Sequence, residues 1–245
     1  MSAAHAADLR CTVTSPSRRI AGWLPAGMLD WPGKIAMTVF LSGCDFACPF
    51  CHNPDLLQAT ETDDQWTEVR EYVRRRRSWI DGVVMSGGEP LRDPDVVTLL
   101  EAFAAEGVPV KLDTNGTDPM LLGSLIEDRL VSAVAVDVKT TFNRYDLVTR
   151  TPGAARRVAD TVDVVLASGI PHEFRTTVFP GVVDPVELPI IASALAGGDL
   201  YALQQFRPQR TLDPQAASVT PIHPDTLRTY AEECSVHLPT VTRGV

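Results

Sequence analysis

The 245-residue sequence contains no apolar run near the roughly 18–20 residues that a membrane span requires. Residues 1–18 hold no apolar core of the kind a secretory leader uses, so export is not expected. There is no internal repeat and no low-complexity tract. Positive charge is scarce: 22 Lys and Arg stand against 31 Asp and Glu, a formal net charge of −9. That balance disfavours nonspecific nucleic-acid binding and adhesion to an anionic membrane. Cysteine is scarce and unevenly placed, with three of five falling within eight residues. Such clustering suits a metal site in a reducing compartment and argues against a disulfide framework. What remains is a soluble cytoplasmic protein, long enough for one large α/β domain.

The three cysteines form the pattern Cys44-x3-Cys48-x2-Cys51. The apolar, partly β-branched run Ile35–Leu41 precedes them and reads as a buried strand, while Gly43, Pro49, Asn53 and Pro54 mark an irregular loop. A strand thus delivers three soft thiolates to one tight loop, as a compact iron–sulfur or zinc site needs. A closed structural zinc site takes four protein ligands, so three thiolates point instead to a cluster with one iron left free. Cys11 and Cys234 have no neighbour at ligand spacing and read as plain thiols.

Beyond the loop, β-rich runs alternate with helical patterns. Strands are expected at 36–42, 82–86, 109–113, 133–138, 173–178 and 200–206. Helices are expected at 66–79, 94–106, 119–127, 154–168, 185–196 and 224–233. Asp93-Pro94 and Asp184-Pro185 suit an N-cap followed by a first helical turn; Gly107, Gly169 and Gly197 suit helix ends. Alternation of this kind implies right-handed βαβ units on a parallel sheet. Six units are fewer than the eight of a closed barrel, so a partial, open (β/α)6 TIM-like barrel is expected over 19–245, behind a loose tail at 1–18. The run Arg74–Arg77 reads as a solvated helix end whose cations complement the macrodipole.

Active sites of parallel (β/α) architectures lie at the C-terminal ends of strands, and the unusual residues of this chain fall there repeatedly. The second strand runs into Gly87-Gly88-Glu89-Pro90, the third into Asp113-Thr114-Asn115-Gly116, the fourth into Asp137-Val138-Lys139. The fifth carries Arg175 within apolar surroundings, and the sixth ends in Gln204-Gln205-Phe206-Arg207. Each has a plainer reading: a Gly-Gly turn, polar strand ends, a surface lysine, or for Arg175 a structural salt bridge.

The cysteine spacing with Phe50 before the third cysteine resembles the radical S-adenosylmethionine (SAM) superfamily. Leu29-Asp30-Trp31-Pro32-Gly33 and Cys51-His52-Asn53 further resemble the glycyl-radical-enzyme activases, above all the activating protein of anaerobic ribonucleoside-triphosphate reductase. The likeness spans about Ile20 to Leu212. It implies a radical SAM barrel with a [4Fe-4S] cluster on Cys44, Cys48 and Cys51, and SAM bound through its amino and carboxylate groups. Gly87, Gly88 and Glu89 would hold the amino group; Phe50, His52, Asp113, Lys139 and Arg175 would complete the cofactor site. Asp113, Thr114, Asp137 and the Ala135 carbonyl would hold a monovalent cation beside the SAM carboxylate, a role that suits hard oxygen ligands. Asp30 would hold the backbone of the substrate glycine loop. The implied reaction is reductive cleavage of SAM to a 5′-deoxyadenosyl radical, which takes a hydrogen atom from a glycine of a partner enzyme. A flavodoxin or ferredoxin would supply the electron.

Two alternatives stay open at this point. One is a radical SAM enzyme acting on a small molecule, like the carboxydeazaguanine synthases; the other is a non-catalytic zinc module in which His52 completes a Cys3His site. Two departures from the activases stand out. A Tyr followed after a few residues by Thr-Gly is typical of them, whereas here Tyr145 is followed by Thr149-Arg150-Thr151-Pro152-Gly153. The chain also lacks the extra cysteine cluster of activases that carry a ferredoxin-like insertion.

Overall fold

The fold was obtained as a computed structural model and describes residues 16–245. In chain order it comprises β1 (Ile20–Gly27), β2 (Ala36–Leu41), α1 (Trp66–Arg76), β3 (Gly82–Gly87), α2 (Val96–Ala105), β4 (Val110–Thr114), α3 (Pro119–Glu127) and β5 (Ala133–Asp137). Then follow α4 (Tyr145–Thr149), α5 (Ala154–Ser168), β6 (His172–Val178), α6 (Glu187–Ala194), β7 (Tyr201–Gln205), α7 (Pro224–Cys234) and β8 (Thr240–Arg243). All strands join one sheet in the linear order β1 to β8, open at both edges, which makes the partial barrel expected from the alternation.

β2 through β8 run parallel, in registers such as Leu41 against Gly87 and Asp137 against Arg175. Helices cover one face and the barrel interior the other, so β4 is buried along its whole length. Two strands escape the alternation. β1 contains Pro25 and two glycines, shows no period, and exists as a strand because it pairs antiparallel with β2. β8 is four residues long, too short to carry a pattern, and adds to β7 as a seventh parallel strand.

Boundaries shift where prolines sit. α2 and α6 begin two residues after Pro94 and Pro185, because Asp93 and Asp184 form local turns first: Asp93 Oδ1 accepts from Asp95 N–H and Asp184 Oδ1 from Val186 N–H. α1 stops at Arg76 rather than at 79. Its arginines are tied down: Arg70 and Arg74 pair with Glu106 at 2.6 and 2.7 Å, and Arg77 donates to the Gly107 carbonyl. The run therefore fastens α1 to the C-terminal end of α2.

Of the tail expected at 1–18, residues 1–15, Cys11 among them, lie outside the described residues. Ser17 corrects the rest: it is buried and donates to Asp93 Oδ2 at 2.6 Å. Among the described residues no helix is long and apolar enough to cross a membrane.

Candidate active site

β2 ends at Leu41, and Gly43 turns the chain with φ +99° into the cysteine loop. Contacts from several elements then fix the loop. Gly43 and Cys44 N–H donate to the carbonyls of Leu56 and Leu57, Ala47 N–H to Thr149, and the Thr151 hydroxyl to the Asp45 carbonyl. Asp213 N–H donates to the Pro49 carbonyl. Every stretch between the cysteines is thereby anchored, and Cys44, Cys48 and Cys51 line one cavity of about 320 Å³ at the C-terminal end of the sheet.

Burial pushes the Cys44 thiol up to about 12 and the Cys48 thiol up to about 11. As thiolates they would need a metal. Phe46 N–H at 3.4 Å and Asn115 Nδ2 at 3.8 Å point at Cys44 Sγ, the kind of donor set that stabilises a metal-bound sulfur. Three thiols in one wall beside open volume fit a polynuclear cluster. No group of three or more His, Cys, Asp or Glu among the described residues is drawn together around a single point. His52 stacks on Phe206 at 6.1 Å; the loss of water there and the Lys139 charge lower its pKa.

β3 delivers Gly87 and Gly88 to the same wall. A Cβ on Gly87 would stand 2.2 Å from the Leu41 carbonyl oxygen and one on Gly88 2.3 Å from that of Gly43, so only glycine fits either position. Gly88 and Glu89 N–H donate across to Leu41 and Gly43, which locks this turn onto the cysteine loop. The Glu89 side chain turns toward β4. Its carboxylate is buried behind the cavity wall, where it accepts from Thr114 Oγ1, Asn115 N–H and Leu91 N–H at 2.6, 2.6 and 3.1 Å. Burial raises its pKa to about 7 against the pull of those donors. Here it is a strut between β3 and β4.

The two aspartates expected beside a cation are bridged by a side chain. Arg175 from β6 reaches between Asp113 and Asp137, with Nη1 2.7 Å from Asp113 Oδ2 and Nε 2.8 Å from Asp137 Oδ1. Thr114 donates its hydroxyl to Glu89. The salt-bridge reading of Arg175 and the site reading both apply, because this ion triad lines the cavity. Burial alone would raise the Asp137 pKa, but Arg175 and Lys139 hold it well below the carboxylate range. Lys139 Nζ lies 3.1 Å from Asp137 Oδ2.

Phe50 lines the cavity and stacks on Phe179 at 5.2 Å. Asp30 lines it from the other side; its Oδ2 accepts from the Thr38 hydroxyl at 2.6 Å. Sequence reasoning gave no site role to Phe46, Thr177 and Asn115, although all three line it, as does Asn53 of the Cys-His-Asn segment. Asn115 follows Asp113-Thr114 directly, and its position at a strand tip was the available signal. Gln204 faces the cavity while Gln205 and Arg207 do not. After Thr149, Arg150 itself takes the left-handed turn, φ 56° and ψ 32°, where the activase pattern has glycine.

A family model for the radical SAM superfamily matches residues 38–186. A candidate glycyl-radical enzyme activating enzyme of Methanocaldococcus jannaschii is 33% identical over 199 residues, covering 79% of this chain and 82% of that one. A 7-carboxy-7-deazaguanine synthase of Halobacterium salinarum is 33% identical over 181 residues, 69% of this chain and 66% of that one. A pyruvate formate-lyase-activating enzyme of Listeria monocytogenes is 35% identical over 128 residues, so the match spans about half of each chain, 46% and 50%. The crystal structure of Streptococcus suis SuiB superposes with a TM-score of 0.64 at 13% identity, over 83% of this chain and 47% of that one, a likeness of fold.

Proposed function

The chain belongs to the radical SAM superfamily, and from that premise we propose that it activates a glycyl-radical enzyme. The superfamily implies a [4Fe-4S] cluster and bound SAM; an electron from an external donor, passed through the cluster to SAM, would give methionine and a 5′-deoxyadenosyl radical able to take a hydrogen atom. Cys44, Cys48 and Cys51 would hold the cluster. The backbone of Gly87 and Gly88 would receive the amino group of SAM, and the Asp113–Arg175–Asp137–Lys139 constellation would present fixed charge to its carboxylate. Phe50 and His52 would shield the cofactor from water. Arg175 lies between the two aspartates and brings positive charge to that end of the cavity.

The observation that carries the activase reading is Asp30. Its side chain shares the cavity wall with the thiols, and among the described residues its carboxylate takes a hydrogen bond only from Thr38. It is therefore able to accept from the backbone N–H groups of an entering glycine loop. The partner is an anaerobic ribonucleoside-triphosphate reductase, the electron donor a flavodoxin or ferredoxin, and the compartment the cytoplasm. The match to the Halobacterium protein supports a second reading, radical chemistry on a small molecule of the deazaguanine-synthase class.

Anaerobic reconstitution, reduction and addition of SAM should yield 5′-deoxyadenosine. Addition of the reductase should then produce a glycyl radical visible by electron paramagnetic resonance. Asp30→Asn should lower radical yield on the partner at least tenfold. Turnover of the small-molecule substrate of the deazaguanine synthases, with no signal on the reductase, would replace this reading with the second one.

A further inference from the structure

Beneath the cavity lies a layer of buried charge that the chemistry above does not use. Lys111 sits on β4 two residues before Asp113, so both side chains face the barrel interior. It is 2% exposed. Its Nζ donates to the backbone carbonyl of Asp30 at 2.5 Å and to Glu173 Oε1 at 3.0 Å, and lies 3.1 Å from Asp113 Oδ1. Glu173 is held in turn by the fork of Arg243, at 3.1 and 2.5 Å, from the last strand of the sheet. Lys111 and Glu173 also line a shallow, open depression of about 150 Å³ with Trp31 and Pro32.

The turn that carries Asp30 is anchored at two points. Trp31 is a plug: its ring packs with Ala36, Val84 and Ala133, and a Cβ on Gly82 would come within 2.6 Å of it. The second anchor is the Lys111 ammonium on the Asp30 carbonyl. Ahead of these anchors, Met28 and Leu29 are exposed. A buried apolar side chain would fill the place of Lys111 without the cost of desolvating an ammonium. What such a side chain could not do is grip a backbone carbonyl and a carboxylate of the cofactor cradle together.

We propose that Lys111 is a positioning residue that sets the Asp30 turn against the Asp113–Arg175 cradle, so that one ammonium holds the substrate end and the cofactor end in register. β8 takes part, because Arg243 orients the carboxylate that Lys111 grips. The consequence for substrate rests on the activase reading; the mechanical coupling does not.

The test is Lys111→Met in the reconstituted protein, with Lys111→Met/Glu173→Gln as a charge-balanced second variant in case the first folds poorly. Amides of residues 28–34 should exchange hydrogen at least tenfold faster than in the wild type, with the cysteine loop at 44–51 less affected. The KM for the partner enzyme should rise at least ten times more than the KM for SAM. Combining Lys111→Met with Asp30→Asn should add less than the product of the single effects, as for coupled residues. Unchanged exchange at 28–34 in a folded variant would overturn the proposal, as would equal effects on the two KM values. If the wild type forms no glycyl radical on any partner, the activase reading fails, and the exchange measurement still decides the coupling.

Discussion

At the floor of the barrel charges are spent on one another, Lys111 on Glu173 at 3.0 Å and Glu173 on Arg243 at 2.5 Å, whereas at the mouth three thiols face open volume. Both regions are polar and both lie inside a sheet whose central strands are largely apolar and buried. The difference is in what each has left to give. Burial with a full complement of partners makes the floor a structural joint, since breaking one member would leave a charge stranded. Burial raises the Cys44 and Cys48 pKa values, and among the described residues the only donors from other residues aimed at a thiol there are Phe46 N–H and Asn115 Nδ2, both at Cys44. Arg175 stands at the boundary, paired like the floor yet exposed to the cavity like the mouth.

The contrast breaks most visibly at Glu173. Glu173→Gln strips Lys111 and Arg243 of their shared carboxylate and should cost about 3 kcal/mol of stability, read by urea denaturation. A loss under about 1 kcal/mol would mean that the floor is not a joint.

Glu89, the strut between the two strand tips at the mouth, should show its burial through pH. Its folded pKa of about 7 lies above the 4.5 of a free glutamate side chain, so the folded state binds the extra proton between those values. Stability from this group is therefore fully present below about 4.5 and lost as pH rises through about 7, a span of about 3 kcal/mol. Asp137 runs the other way, stabilising above its unfolded pKa and losing that contribution as pH falls. Denaturation midpoints across pH 4.5 to 7.5 should fall less steeply in Glu89→Gln than in the wild type. An identical slope in both would remove Glu89 from the account.

The smallest effect sharpens the picture of the rim. Arg150 carries the left-handed strain of the turn whose Thr149 carbonyl and Thr151 hydroxyl clamp the cysteine loop. Arg150→Gly should raise stability by about 1 kcal/mol, since its 3.7 Å contact with Asp213 is largely exposed and worth little. A net loss would show that the ion pair, and not the backbone, governs that turn.

Local patterns were enough for much of this. Three cysteines within eight residues, a glycine pair that tolerates no Cβ, and strand–helix alternation are properties of short stretches, and each leaves its mark on neighbouring residues. From them came the barrel, the cluster loop and most of the cavity wall. Charge pairing is different. Arg175 meets Asp113 from 62 residues away, Lys111 meets the Asp30 carbonyl from 81, and Arg243 meets Glu173 from 70. Nothing in the spacing of such residues announces a partner, so the pairing of Arg175 with Asp113 and Asp137, and of Glu89 with Thr114 and Asn115, was not legible in advance. The same holds for β1 and β8, which are strands because β2 and β7 offer them free edges. By itself the sequence determined which chemistry the mouth can host, because ligand type and spacing are local. Only the tertiary structure decided which charges are spent within the fold and which remain for a ligand, because that depends on distances set by the whole sheet.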